Sequence, residues 1–142
     1  MVEQEKQSYD ISMIAKKLAY IAIQFNKIGE GIRDSRPRAA RESNLLSEEH
    51  YVLELITPNI WWIRKLLLRI DDPDVDDNKK EEAKRKIKDT FTFLRYDFNA
   101  LLERNEDLEL RFPADDKRKE RYLELKKELD NVKEIIEKTV LV

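Results

Sequence analysis

The chain has 142 residues, of which 28 are basic and 30 acidic, with one histidine, two glycines, four prolines and no cysteine. This is the length of one domain, enough for a compact fold to bury roughly two-thirds of the surface that the unfolded chain exposes. Without cysteine there are no disulfides, no thiolate chemistry and no cysteine zinc sites, and a net charge of −2 excludes a whole-molecule field aimed at nucleic acid or an anionic membrane.

Charged and hydrophobic residues at 41% each, with so few glycines and prolines, favour long amphipathic helices over a many-stranded sheet. Abundant lysine, glutamate and isoleucine with scarce glutamine lean towards a heat-adapted source. Met1-Val-Glu-Gln-Glu-Lys-Gln has no basic stretch followed by an apolar run, so no signal peptide is expected. The longest apolar stretch, Ile60 to Ile70, is interrupted by Arg64, Lys65 and Arg69 and falls short of the ~20 residues that a bilayer requires. A cytoplasmic protein without a membrane partner is the expectation.

In chain order, Ile11, Ile14, Leu18, Ile21, Phe25, Ile28 and Ile32 alternate steps of three and four, the coiled-coil-like seam of a helix predicted from Asp10 to Ile32. Ser8 or Asp10 can cap its first turn by accepting a hydrogen bond from a free amide. Ala15, Ala22 and Gly29 repeat beside the seam and leave a flank without bulk, where a partner helix can approach closely. Asn26-Lys-Ile-Gly-Glu-Gly31 is similar to the Asn-Ile-Ala-Glu-Gly stretch of the four-helix-bundle proteins encoded in ribosomal-RNA intervening sequences. The similarity ends with those residues, and no functional residue is carried over from it.

A linker is predicted over about 33–46, where Pro37 removes a backbone donor. Ser47 then reads as an N-cap, with Glu48 and Glu49 at the positive end of the next helix dipole. That second helix has Leu53, Ile56, Ile60, Ile63, Leu67 and Ile70 as its seam and is predicted to be kinked or split at Pro58. An acidic turn over 71–77 leads to a third helix, expected from Asn78 to Arg104 with Ala83, Ile87, Phe91, Leu94, Phe98 and Leu101 inward. Residues 105–114 are predicted to connect, as an extended arm, to a last helix opening at Asp115 or Asp116 with Tyr122, Leu125, Leu129, Val132 and Ile136 at heptad spacing. The fold class expected is all-α: one domain over 1–142, an antiparallel four-helix bundle.

Recognisable enzyme motifs are missing, few acids take inward positions, and no catalytic, cofactor or metal residue is proposed. Asp72, Asp74, Asp76 and Asn78 have the spacing of a calcium loop, but Asp77 stands where the sharp turn wants glycine and Ala83 where a bidentate glutamate completes the shell. His50 reads as a partly exposed turn residue. Trp61 and Trp62 carry more weight. With Leu55 and Leu68 they fall outside the seam, so the second helix is apolar on its far side too. The leading expectation is therefore a non-enzymatic interaction module, a homo-oligomer or a small subunit of a larger assembly, with those four residues at a protein interface. The alternative is a nucleic-acid accessory protein that sets Arg33, Arg36, Arg38 and Arg41, with Lys80, Lys84 and Lys88, against phosphates.

Overall fold

The structure, a computed structural model, describes residues 2–34, 48–111 and 118–142, with side chains described over 11–34, 48–106 and 118–142. The described residues form an antiparallel four-helix bundle without strands: α1 (Val2–Asp34), α2 (Thr57–Asp71, entered through helical residues 48–50 and a π-helical segment Tyr51–Ile56), α3 (Asp77–Arg111) and α4 (Arg118–Thr139). Cross-helix pairings fix the directions. Gly29 of α1 meets Leu53, Glu48 meets Asn105 of α3, and Gln24 of α1 meets Arg121 of α4. Each helix lies beside its chain neighbours, and α1 closes the ring against α4.

The predicted seams form the core. Ile14, Leu18, Ile21 and Phe25 of α1 join Ile56, Ile60, Ile63 and Leu67 of α2, Ile87, Leu94 and Phe98 of α3, and Leu125, Leu129 and Ile136 of α4 in one buried cluster. Phe25 crosses the bundle to meet Phe98 edge-on at 5.3 Å and stacks on Tyr122 at 6.3 Å. Such aromatic pairs add to the area that they bury.

Several boundaries move. α1 begins at Val2, so Ser8 and Asp10 lie inside the helix, and the run of good helix formers before them extends it. The proposed cap Ser47 lies outside the described residues, as do Asp115 and Asp116. At Pro58 the second helix is continuous. Proline has no N–H for the carbonyl of Glu54, and its ring crowds that carbonyl. The backbone widens just upstream, and the Thr57 N–H reaches back five residues to the Val52 carbonyl. The widened turn shifts the register, so Val52 is fully buried and Leu53, placed in the seam by its spacing, is only half-buried.

A second correction concerns 105–114. α3 continues through Arg111, where the sequence suggests an extended arm from Asn105. Asn105 follows Leu101 by four residues, stays in phase with the seam and is buried, so a polar residue takes a core position because a partner waits for it there. The small-residue flank of α1 also finds its occupant within the chain. Ala15, Ala22 and Gly29 are buried, and a methyl group added at Gly29 would fall within the Leu53 side chain.

Candidate protein-interaction surface

The four expected interface residues divide between two flanks of α2. Trp62 and Leu55 are half-buried, and Trp62 packs against the core. Trp62 shares its stripe with Arg69, two helical turns further on, whose charge reaches Glu82 of α3. Trp61 and Leu68, also two turns apart, remain 38% and 40% exposed on another stripe. Each indole carries a cation on its face: Arg64 stands 5.8 Å from the Trp61 ring centre, and Lys65 stands 5.8 Å from that of Trp62. Cation–π contacts of this kind hold a ring in place while leaving part of its surface to solvent.

Among the described residues, the most exposed aromatic side chains lie on α3. Phe93 and Tyr96 are 61% and 60% exposed and stand about one turn apart on the side away from the core. Arg104, three turns after Phe93 on the same stripe, lies 5.6 Å from the centre of the Tyr51 ring at the entry to α2, so Phe93 belongs to the flank turned towards α2. The Glu48–Asn105 hydrogen bond and the stacking of Arg104 over the Tyr51 ring set the register and place Phe93 about level with the Pro58–Trp62 turn. Phe93 and Tyr96 of α3 and the half-buried Trp62 of α2 thus stand at similar heights along the bundle. Burial raises the Asp97 carboxyl above its ordinary value, and His50 opposes that shift.

One end of the bundle holds a buried polar network. Glu48 is fully buried, and its Oε1 accepts hydrogen bonds from Tyr122 Oη at 2.7 Å, Arg118 Nε at 2.8 Å and Asn105 Nδ2 at 3.4 Å. Among the described residues, Glu48 Oε2 and Asn105 Oδ1 are buried without a hydrogen-bond partner. Burial, and then the Glu48 charge, push the Tyr122 phenol far above its ordinary range, so it stays protonated and donates. The network ties the start of α2 to the end of α3 and the start of α4. By position alone Glu48 is a first-turn partner of the helix dipole, and its place in this network is not legible from that. The readable signal was Asn105, a polar residue in phase with the Leu94, Phe98 and Leu101 seam.

Among the described residues, Arg33 and the three lysines do not converge. Arg33 is exposed at the end of α1 nearest the Glu48 network, while Arg36, Arg38 and Arg41 lie outside the described residues. Lys80, Lys84 and Lys88 begin α3 at the opposite end, about 25 to 37 Å along the helix from Asn105 at 1.5 Å per residue. Lys84 pairs with Glu81 at 3.1 Å, and neighbouring Lys86 pairs with Glu82 at 3.0 Å, so acids interleave this stripe. In the acidic turn, Asp72 Oδ1 accepts the Asp74 amide and Asp76 Oδ1 caps α3 through the Lys79 amide, both at 2.9 Å. Their oxygens serve the turn and the helix start. His50 is exposed and meets the Tyr51 ring edge-on at 5.8 Å. No helix among the described residues is long and apolar enough to cross a membrane.

No protein-family model, curated protein or solved structure matches the chain.

Proposed function

We propose that the chain is a non-enzymatic helical interaction module that self-associates or docks as a small subunit or adaptor of a larger assembly through the outer face of α2 and α3. The observation that carries this reading is the pair Phe93 and Tyr96, more than half exposed and level with Trp62. Water-facing aromatic side chains gathered on one side are the usual material of interface centres, because burying them against a partner removes a large apolar area from solvent. Trp61 and Leu68 extend the apolar surface around α2.

The test is solution mass by size-exclusion chromatography with light scattering, at low and high salt, for the wild type, Phe93→Lys and Tyr96→Lys. Both positions face water, so the variants are expected to fold. A mass of twice the monomer or more that persists at high salt in the wild type and falls to the monomer in the variants supports self-association. If the wild type is monomeric, the variants should instead lose partners that it captures from its native extract. The reading fails if neither mass nor capture changes in the folded variants.

A further inference from the structure

We propose that a groove between α1 and α4, on another side of the bundle from the Phe93 face, binds a small amphipathic anion: an aryl or medium-chain carboxylate or sulfonate. The groove is open to solvent along one side and has a volume of about 320 Å³, at the small end of the range for small-molecule sites. Its apolar lining comes from Ile21 and Val132, each almost wholly buried, and Tyr20 lies half-exposed beside them. Lys16 and Lys17 line the groove from α1, and Glu128 lines it from α4. None of these three charges is engaged in an ion pair among the described residues, although their neighbour Arg121 is held by Glu124 at 3.1 Å and by Gln24 at 2.8 Å.

This combination selects the ligand. An apolar body gains by displacing water from the Tyr20 ring, over a floor that the nearly buried Ile21 and Val132 keep apolar. An anionic head gains from two ammonium groups without an ion-pair partner among the described residues and keeps to the α1 side, away from Glu128. A neutral apolar molecule forgoes the second contribution, and a cation meets two lysines against one glutamate. Electrostatics therefore signs the effect of each charge change. Removing the lysines weakens binding, and removing Glu128 strengthens it.

The experiment is titration of the intact chain with anilinonaphthalene sulfonate, followed by fluorescence and calorimetry, with octanoate as competitor. The expected result is saturable one-to-one binding that octanoate displaces. Lys16→Gln with Lys17→Gln should weaken it by about tenfold, Glu128→Gln should tighten it by about threefold, and Phe93→Lys should leave it unchanged. All three groove charges are exposed, so thermal melts of these variants should overlay the wild type. Absence of saturable binding overturns the proposal, as does binding indifferent to both the lysine and the glutamate changes. Binding abolished by Phe93→Lys also overturns it, because the probe would then report the α2/α3 face.

Discussion

The middle of the bundle and its Glu48 end are both buried, yet they are held in different ways. In the middle, Phe25, Ile63, Leu94 and Phe98 contribute apolar area, a non-directional gain that tolerates exchange of one hydrophobe for another of similar volume. At the end, one carboxylate oxygen accepts from three side chains on two other helices, and each bond depends on direction and on the others. The difference separates two tasks. The seams supply stability, while the network contributes to positioning the helix ends, since a carboxylate withdrawn from water is tolerable only where its donors converge.

Substitutions should expose this contrast. The largest loss is expected for Phe98→Ala, about 4 kcal/mol from lost burial and a cavity beside Phe25, read as the shift of the urea midpoint. Arg118→Met should follow at about 3 kcal/mol, because it leaves the Glu48 carboxylate buried without its cation. Adding Glu48→Gln to Arg118→Met should recover part of that loss, whereas adding Ile63→Ala to Phe98→Ala should only deepen it. If the charge-removing change gave no recovery, the distinction between the two regions would collapse.

Two glycines on α1 provide a finer probe of close packing. Gly29→Leu should cost about 2 kcal/mol, because the added side chain competes with Leu53 and Val52 for occupied space. Gly31 has open space where a Cβ would stand, so Gly31→Ala should stabilise by about 0.5–1 kcal/mol by reducing the freedom of the unfolded chain. Thermal melts of the two variants should shift in opposite directions. The smallest effect is expected at Asp97. Its raised carboxyl pKa means that the folded chain holds the proton more tightly than the unfolded one, so its contribution is fully present below the ordinary value of 3.8 and is lost as pH rises through the folded value. Asp97→Asn should therefore raise the melting temperature slightly at neutral pH, and the advantage should vanish in strong acid.

Much of this was legible in the chain. The four seams could be read because an apolar step of three or four residues is a property of the helix alone, and the buried set from Ile14 to Ile136 follows it closely. Other features needed neighbours. Trp61 and Trp62 are adjacent in sequence but lie about 100° apart around a helix of 3.6 residues per turn, and only the positions of the flanking helices decide which indole is covered. Glu48 reads as a surface residue until it is brought to Asn105, Arg118 and Tyr122, which lie 57, 70 and 74 residues away.

By itself, then, the sequence determined the helices, their inward faces and an all-α bundle, because backbone periodicity and apolar burial act locally along the chain. Only the tertiary structure decided that Val52 rather than Leu53 turns fully inward, that α2 accepts the small flank of α1 at Gly29, that α3 runs on past Asn105, and that Phe93 and Tyr96 stay in water. Each of these depends on which surfaces meet. Register and burial between helices are set by three-dimensional packing and the pairing of distant polar groups, which no local pattern encodes.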